Sequence, residues 1–312
     1  MTKMQLSVII CTHNPRPPYL RRVLAALREQ TFPKEKWEFF LVDNASRQPV
    51  SIEWDISWHP NARHVSEPEL GLSTARLRGI REASSDLLIF VDDDNVLDAD
   101  YLSAAVRIGR EWPKLGTWGS AVTVPEFEVQ PSKYVTNIVP YLALRQVDQA
   151  RWSNFPSIEA TPWGAGLCLR RAVAEAYCKL SLESRMVISG RKGSVLLSGD
   201  DVELSYVACR LGLGLGIFPE LKLTHLIPRE RVEKSYLLRI VEGTSVSNAL
   251  LAYKWKGDRP RSPLTVIGLL SILKNLLLLR GIDREIYLAK LRATVKARRM
   301  TGANEGVDQA IR

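Results

Sequence analysis

The sequence predicts an α/β fold, in which a mostly parallel sheet is flanked by helices and followed by a helical C-terminal region. The first observation is that short apolar runs rich in β-branched residues alternate with segments of helical spacing near the start of the chain. This alternation is typical of parallel sheets with helices on both faces. The second observation is that the spacing becomes helical from Arg231 onward, with no further clear strand.

Three apolar runs are predicted to be buried strands because they are continuous and rich in Val, Ile, Leu and Phe. They are LSVIICT (6–12), EFFLVDN (38–44) and DLLIFVD (86–92). Helical spacing of apolar residues predicts helices in YLRRVLAALREQ, STARLRGIREAS and ADYLSAAVRIGREW. Ser73 is placed to cap the second of these helices. A loop of mixed composition spans about residues 126–162.

Composition bounds the class of protein. With 312 residues, 46% of them hydrophobic, the chain is long enough for one large or two modest domains with a real core. The four cysteines form no Cys-x-x-Cys pair and lie in apolar runs, which indicates reduced thiols in a cytoplasmic protein. The first residues lack the features of a signal peptide.

The net charge of +9 allows nucleic acid, anionic lipid or a phosphorylated substrate as a partner. Much of the basic excess lies after residue 254, on both sides of an apolar run. The sequence has neither zinc-finger spacing nor the aromatic pattern of a ribonucleoprotein domain. Nucleic acid is therefore not expected as a partner.

Each predicted strand ends in polar residues. THN follows the first strand, DNAS the second and DDDN the third. Ligands of parallel sheets bind beyond the carboxyl ends of the strands, so these clusters are expected to meet in one crevice. This expectation requires the three strands to be parallel.

Asp92, Asp93 and Asp94 place three like charges side by side. Two unit charges about 4 Å apart repel by roughly 1 kcal/mol in bulk water and by about 4 kcal/mol at an effective dielectric constant near 20. A divalent cation such as Mg²⁺ or Mn²⁺ relieves this repulsion, and carboxylate oxygens suit such ions. In an extended segment, Asp92 and Asp94 would share one face. The alternative is a solvated turn whose aspartates act as local caps.

Four further residues have both a structural and a functional interpretation. Arg76 is either a surface arginine or a partner for a diphosphate or for the aspartates. Asp200 and Asp201 precede an amphipathic helix, where a carboxylate can cap the helix or act as a base at the edge of a cleft. His225 is either a satisfied structural group or a metal ligand.

Together these segments resemble glycosyltransferase family 2, the inverting nucleotide-sugar transferases with the Rossmann-like GT-A fold. The matching segments follow the order of the family over roughly residues 5–235: SVIICTHN, FFLVDNAS, GLSTARLRGI, LIFVDDDN, PWGAGLCLRR, SGDDVELSYVACRLG and LTHLIPRER. The resemblance implies a GT-A catalytic domain over residues 1–230, with a nucleotide-binding half at about 1–125 and an acceptor-side half at about 126–230. Residues 231–312 would form a helical, basic region.

The resemblance also implies a donor site at the strand ends. Thr12, His13 and Asn14 would line the nucleobase pocket, and Asp43 would hydrogen-bond the base. Arg76 corresponds to an arginine near the base and the phosphates.

The aspartates correspond to the D-x-D element of the family, which implies Mg²⁺ or Mn²⁺ as a cofactor. Asp94 would ligate the metal, with Asp92 directed towards the ribose or a metal-bound water and Asp93 among the donor-binding residues. His225 corresponds to a histidine that ligates metal in some members.

Asp201 corresponds to the second acid of the family's Glu-Asp element, the catalytic base. Asp200 stands where that element usually has Glu, so the choice of base between the two aspartates stays open. Trp163 and Gly164 correspond to positions that shape the donor-sugar and acceptor side.

These correspondences imply metal-dependent, inverting transfer of one sugar from a nucleotide-diphosphate sugar, with a uridine nucleotide favoured, to an acceptor hydroxyl. The Gln-x-x-Arg-Trp element of processive members is absent after the acidic pair, and QARW (149–152) has the wrong spacing, so polymerisation is not expected. One rival is a sugar nucleotidyltransferase, which would usually have a glycine-rich basic loop after the first strand. The other is a non-catalytic, nucleotide-sugar-binding membrane scaffold.

The segment LTVIGLLSILKNLLLL (264–279) is apolar but, at about 16 residues, shorter than the roughly 20 that a spanning helix needs. Basic residues flank it, so residues 262–300 are expected to bind a membrane surface in plane. The alternatives are a core helix and a homodimer contact. A place at the inner face of the cytoplasmic membrane would suit a sugar or lipid-linked acceptor in bacterial cell-surface polysaccharide or glycolipid synthesis.

Overall fold

The computed structural model describes residues 4–183, 188, 197–263 and 265–308. The chain divides into two compact units. The first, the sheet unit, comprises Met1–Glu126, Ala143–Ser184 and Asp200–Ile227. The second, the helical unit, comprises Phe127–Leu142, Arg185–Gly199 and Pro228–Arg312.

The sheet unit is built on one mixed sheet. Its strands are β1 (Leu6–Thr12), β2 (Trp37–Asn44), β3 (Ala62–Glu67), β4 (Leu87–Asp92), β5 (Asn95–Leu97), β6 (Leu115–Phe127), β7 (Arg145–Gln146), β8 (Arg151–Ser153), β9 (Leu167–Arg170) and β10 (Gly214–Ile227). Their order across the sheet is β3-β2-β1-β4-β9-β6-β10-β5, with β7 paired to β6 and β8 paired to β10. The helices of this unit are α1 (Pro17–Arg28), α2 (Val50–Glu53), α3 (Leu72–Glu82), α4 (Tyr101–Glu111), α5 (Arg171–Glu183) and α6 (Asp200–Arg210).

The strands that carry the polar clusters are parallel, as their convergence requires. Strand β1 pairs in parallel with β2 on one side and with β4 on the other. In these pairings Thr12 lies opposite Asp43, and Cys11 lies opposite Asp92. The polar residues that end the three strands therefore meet at one edge of the sheet.

Beyond β4 the sheet continues with antiparallel strands, which the alternation of strands and helices did not predict. Strand β9 is antiparallel to both β4 and β6, and β10 is antiparallel to β5 and β8. The expected α/β fold class, with a parallel Rossmann-like half, is confirmed. The antiparallel half places β9 and β10, which come late in the chain, next to strands from its first half.

The pattern of apolar residues in the central strands and in α1 matches how each element is buried. Every residue of β2 is buried, as are all but one of β1, so both faces of these strands are covered. Helix α1 buries the face predicted from its spacing, and each such side chain contributes roughly 1.5–3 kcal/mol through burial. Its buried apolar residues include Leu20, Val23, Leu24 and Leu27.

Helix α3 lies very close to β1. At Gly79 a Cβ atom would be 2.4 Å from Ile9 Cγ2, so only glycine allows this approach. The helix begins at Leu72 with Gly71 at its N-cap and without a side-chain cap, so the expectation that Ser73 caps it is wrong. The close packing holds Arg76, one turn before Gly79, over the edge of the sheet where the strands end.

The helical unit includes α7 (Lys234–Lys256), α8 (Val266–Leu278) and α9 (Gly281–Asp308). Helix α9 packs against α7, and an ion pair joins the two between Arg292 Nε and Glu242 Oε2 at 2.8 Å. The buried side of α9 carries small side chains, three alanines at four-residue spacing: Ala289, Ala293 and Ala297.

Helix α8 leaves most of its apolar side chains exposed. Its first turn is capped by Thr265, whose hydroxyl accepts a hydrogen bond from Gly268 N at 3.1 Å. Six of its apolar residues are between 50% and 76% exposed: Val266, Leu269, Leu270, Leu273, Leu277 and Leu278. Within the described residues, no helix combines the length and the hydropathy needed to span a bilayer.

Candidate functional site

Strand β4 ends at Asp92, and the chain turns through Asp93 and Asp94 before β5 begins. The expectation that Asp92 and Asp94 share a face by strand alternation therefore does not hold, because the segment is not extended beyond Asp92. The turn separates the three like charges by giving each a different neighbour. These neighbours are Arg76 beside Asp92, Thr12 beside Asp93 and His225 beside Asp94.

The end of β1 presents Thr12, His13 and Asn14. The Thr12 hydroxyl donates a hydrogen bond to Asp93 Oδ2. His13 Nδ1 lies 2.7 Å from the carbonyl oxygen of Asn44, which can only accept, so Nδ1 carries a proton. Asn14 has a left-handed backbone, with φ of 49°, and its side-chain amide lies 2.8 Å from His13 Nε2. These contacts join the ends of β1 and β2.

The end of β2 is fixed by Asp43 and Asn44. Both carboxylate oxygens of Asp43 accept backbone hydrogen bonds, from Ser46 N at 3.0 Å and from Val50 N at 3.1 Å. The Asn44 side chain accepts a hydrogen bond from Gly71 N at 2.8 Å. Asp43 therefore orders the loop that follows β2, and Asn44 ties the start of α3 to the same edge of the sheet.

Arg76 lies buried among the acidic residues, so the surface interpretation of this arginine is wrong. Its Nη1 donates to Asp200 Oδ2 at 2.8 Å, and its Nη2 lies 3.5 Å from Asp92 Oδ1. The guanidinium carbon is 5.6 Å from the centroid of the Phe90 ring. Burial opposes the charge of Arg76, but Asp200, Asp92 and Asp201 outweigh it and raise the pKa of Arg76 above its ordinary value.

The two aspartates that begin α6 have different surroundings. Asp200 is only 3% exposed, pairs with Arg76 and accepts a hydrogen bond from the Ser73 hydroxyl at 3.2 Å. Asp201 is less enclosed and accepts a hydrogen bond from Gly164 N at 2.7 Å. Burial and the charge of Asp200 raise the pKa of Asp201, although Arg76 and backbone N–H donors act against the rise.

Asp94 and His225 face each other because β5 pairs with β10. In this pairing His225 lies opposite Asn95, and His225 Nε2 is 3.6 Å from Asp94 Oδ2. Both side chains are at least nine-tenths buried, at 9% and 10% exposure. A carboxylate oxygen suits Mg²⁺ or Mn²⁺, and a neutral imidazole is a common metal ligand.

The described residues contain no group of three or more side chains able to hold a metal ion by themselves. A Mg²⁺ site, however, usually has one or two protein carboxylates and takes its other ligands from phosphates and water. The pair of Asp94 and His225 therefore fits a divalent cation that is shared with a phosphate-bearing ligand.

Trp163 and Gly164 lie in the loop before β9, beside Asp201. A Cβ atom at residue 164 would be 2.3 Å from Arg76 Nη2 and 3.3 Å from Asp201 Oδ2, so only glycine leaves room for these groups. The guanidinium of Arg145 covers the Trp163 ring, with 3.6 Å between Cζ and the ring centroid.

All site residues expected from the sequence lie in the sheet unit, at the ends of β1, β2 and β4 or on segments packed against them. Sequence reasoning gave no individual role in the site to Asn44, which lay in one of the polar clusters, and missed Ser73 and Arg145 as contributors. Asn44 and Ser73 lay within the segments that carry the resemblance, and their hydrogen-bonding side chains were the available signal. Arg145 lies in the loop of mixed composition, where no local pattern marks it.

Comparisons with known proteins identify relatives by sequence. Residues 7–161 match the family model described as Glycosyl transferase family 2. Glycosyltransferase AglE of Haloferax volcanii is 29% identical over 92 residues. That match covers 28% of this chain and 30% of the length of AglE. The family match ends before α6 and β10, so the acidic pair and His225 lie outside it.

Two proteins of known structure share this architecture. Mannosyltransferase PcManGT from Pyrobaculum calidifontis, in complex with GDP-Man and Mn²⁺, has a TM-score of 0.56 at 19% identity, over 97% of this chain and 76% of that one. Residues 1–349 of S. aureus TarS have a TM-score of 0.52 at 13% identity, over 94% of this chain and 81% of that one. The same TarS segment in complex with UDP-GlcNAc has a TM-score of 0.51. These likenesses confirm the GT-A fold.

Proposed function

The chain belongs to glycosyltransferase family 2, and we propose that it transfers one sugar from a nucleotide-diphosphate sugar to an acceptor hydroxyl, with inversion at the anomeric carbon. One observation carries the proposal. The ends of three parallel strands meet a buried arginine and an acidic pair from a distant helix at one edge of the sheet. Such an edge can hold a diphosphate and, beside it, a carboxylate that accepts a proton.

The donor nucleotide would bind at the ends of β1 and β2. Thr12, His13 and Asn14 line this position, and Asp43 shapes the loop beside it. A uridine nucleotide is the first candidate, supported by the TarS structure in complex with UDP-GlcNAc. The GDP-Man complex of PcManGT makes a guanosine nucleotide the second candidate.

The metal cofactor would be Mg²⁺ or Mn²⁺, held by Asp94 and His225 together with the diphosphate. When bound, such an ion supplies positive charge that neutralises the departing diphosphate. Asp92 lies too close to Arg76, at 3.5 Å, to be treated as an isolated ligand, so we assign it to the ribose or a metal-bound water. Arg76 adds a fixed positive charge on the same side, beside Asp92 and Asp200.

The base would be Asp201 rather than Asp200. The carboxylate of Asp200 is enclosed, and Arg76 and Ser73 already bind it, so an acceptor hydroxyl has little access to it. Asp201 is more accessible, and its raised pKa makes it a better proton acceptor than an ordinary aspartate.

The reaction then follows as one displacement. Asp201 accepts the proton of the acceptor hydroxyl, and the oxygen forms a bond to the anomeric carbon. The bond between that carbon and the diphosphate oxygen breaks, and its electron pair leaves with the nucleoside diphosphate. Because attack and departure occur on opposite faces of the sugar, the anomeric configuration inverts.

A panel of nucleotide sugars, with Mn²⁺ or with a chelator, tests this function. One nucleotide sugar should raise the melting temperature only when the metal is present, and transfer should release its nucleoside diphosphate. Asp201→Asn should keep this stabilisation and lose transfer by about a hundredfold or more. Asp55→Asn is the matched control because Asp55 is exposed, and it should leave transfer unchanged.

Three outcomes would contradict parts of the proposal. Full activity of Asp201→Asn would remove Asp201 as the base and make Asp200 the next candidate. Metal-dependent binding without turnover of any donor would favour a non-catalytic nucleotide-sugar-binding protein. Formation of a nucleotide sugar from a nucleoside triphosphate and a sugar phosphate would identify a nucleotidyltransferase.

We also propose that α8 binds the surface of an anionic membrane, where the enzyme would encounter a lipid-linked acceptor. Its exposed apolar residues recur every three or four positions and so form a stripe along the helix, as in Val266, Leu270, Leu273 and Leu277. Exposed basic residues flank the helix on both sides: Lys256, Arg261, Arg280 and Arg284. An apolar stripe with basic flanks is typical of helices that lie in the interface of anionic bilayers.

Vesicle sedimentation tests this placement. The full chain should sediment with vesicles that contain phosphatidylglycerol and not with pure phosphatidylcholine, and a Leu270→Glu, Leu273→Glu variant should stay in the supernatant. Leu182→Glu changes a leucine that is 78% exposed in the sheet unit, and it should still sediment. If the wild type sediments with neither kind of vesicle but forms a dimer that the double variant does not form, the stripe is a homodimer contact.

A further inference from the structure

Arg145 lies directly over the aromatic ring of Trp163 in the sheet unit. It lies on β7, which pairs with β6 through Thr123. Its Cζ atom is 3.6 Å from the centroid of the Trp163 ring, and its Nη1 donates to the carbonyl oxygen of Thr161 at 3.0 Å. The stacking and the hydrogen bond fix the plane of the guanidinium, so its remaining N–H groups have a defined direction.

The charge of Arg145 is not neutralised by a carboxylate contact. Within the described residues, its guanidinium has a ring contact with Trp163 and a hydrogen bond to the Thr161 carbonyl oxygen, and no carboxylate lies at ion-pair distance from it. Burial, and next the positive charge of Arg151, lower the pKa of Arg145 to about 10, although the charge of Asp201 acts against this shift. Arg145 therefore stays charged at neutral pH. A partly buried cation beside a second cation is unfavourable unless an anion joins it.

Arg145 lies close in the fold to the proposed base, Asp201, because Trp163 is followed directly by Gly164. The next residue, Gly164, donates its N–H to Asp201 Oδ2 at 2.7 Å. The Trp163 ring, with Arg145 on it, is therefore one residue from the group that orients the proposed base. The proposed metal ligands come from other segments: Asp94 lies in the turn before β5, and His225 lies on β10.

We propose that Arg145, stacked on Trp163, forms a binding site for an oxyanion of the acceptor, a phosphate or a carboxylate close to the hydroxyl that Asp201 deprotonates. This inference rests on the proposed function, because it assigns the substrate class of the same site. A guanidinium suits both groups, since its parallel N–H donors match two oxygens of either. The phosphate would come from a lipid-linked acceptor and the carboxylate from an acidic sugar.

Calorimetric titration of the full chain, with Mn²⁺ and the nucleoside diphosphate that it binds, separates these sources. The phosphate probe is n-octyl phosphate with n-octanol as its neutral counterpart. The carboxylate probe is methyl glucuronide with methyl glucoside as its counterpart. One charged probe should bind at least about tenfold more tightly than its counterpart, as expected for hydrogen bonds to a charged group.

Variants of Arg145 identify the group responsible. Arg145→Gln keeps a planar side chain that can donate to Thr161 but removes the charge, and it should abolish the preference for the charged probe. Arg145→Lys should retain part of it. Arg81→Gln, at an exposed arginine on α3, should retain all of it. None of these changes should weaken nucleotide binding.

Three results would overturn the inference, and a fourth concerns the proposed transferase function itself. If Arg145→Gln keeps the preference, or if the wild type has none, the acceptor site lies elsewhere. If Arg145→Gln instead weakens nucleotide binding tenfold, Arg145 binds the donor diphosphate. If the wild type binds no nucleoside diphosphate at all, it is the proposed transferase function that fails.

Discussion

Replacement of Arg76 by Met should destabilise the sheet unit far more than loss of an ordinary ion pair. The side chains of Arg76 and Asp200 are 5% and 4% exposed, so removal of the cation leaves a buried carboxylate without its countercharge. Removal of one partner of a buried pair lowers the free energy of unfolding by about 3–5 kcal/mol. Asp92 and Asp201 also lose a nearby positive charge, which adds to the destabilisation.

Urea unfolding without nucleotide, followed by tryptophan fluorescence, measures this difference. The matched control is Arg22→Met, which breaks a two-point pair with Glu126 at side-chain exposures of 47% and 52%. An exposed pair of this kind contributes at most about 1 kcal/mol. The double variant Arg76→Met, Asp200→Asn should recover most of the lost stability, because it removes the uncompensated carboxylate as well.

The reasoning is refuted if Arg76→Met loses no more stability than Arg22→Met. It is also refuted if the double variant is no more stable than Arg76→Met, since the penalty would then come from lost packing and not from an unpaired charge. Equal unfolding slopes among the variants would show that the same folded unit is being compared.

Three further outcomes are expected. In a plot of kcat/KM against pH, the acid limb should lie above the ordinary aspartate pKa, because the pKa of Asp201 is raised. Asp200→Asn removes one of the charges that raise this pKa, so it should move the limb to lower pH. A wild-type limb near pH 4 would contradict this prediction. Gly164→Ala should lower kcat/KM by about a hundredfold, because the new Cβ atom would clash with Arg76. Gly302→Ala is the control, since Gly302 has open space around it, and it should leave kcat/KM unchanged. Equal kcat/KM values for the two variants would exclude the clash. His225→Ala should raise the Mn²⁺ concentration for half-maximal nucleotide binding by at least about tenfold in a fluorescence titration, and an unchanged value would remove the metal role.

The central strands could be predicted from the sequence, and the late ones could not. Strands β1, β2 and β4 are continuous apolar runs because both of their faces are covered. Strand β10 begins with alternating glycines and contains Pro219, features that usually mark turns. Its place between β6 and β5 depends on pairing with distant segments, and a local pattern carries no information about such partners.

The same limit applies to the site. The ends of parallel strands converge by geometry alone, so the grouping of Thr12, Asp43 and Asp92 followed from the strand pattern. The difference between Asp200 and Asp201 did not, because neighbouring residues of one type differ only in their tertiary surroundings. The turn after Asp92 was likewise hidden, since three identical residues give no signal for where a strand ends.

The order of the strands also constrains how the protein can be divided. A fragment that stops at residue 161, where the family match ends, would lack both β9 and β10, which lie inside the sheet and not at its border. Strands β4 and β6 would then present unpaired backbone groups, the kind of surface that promotes aggregation. Chimeras with other transferases should therefore exchange the whole segment up to Ile227. A shorter segment would lack strands of the sheet and residues of the candidate site.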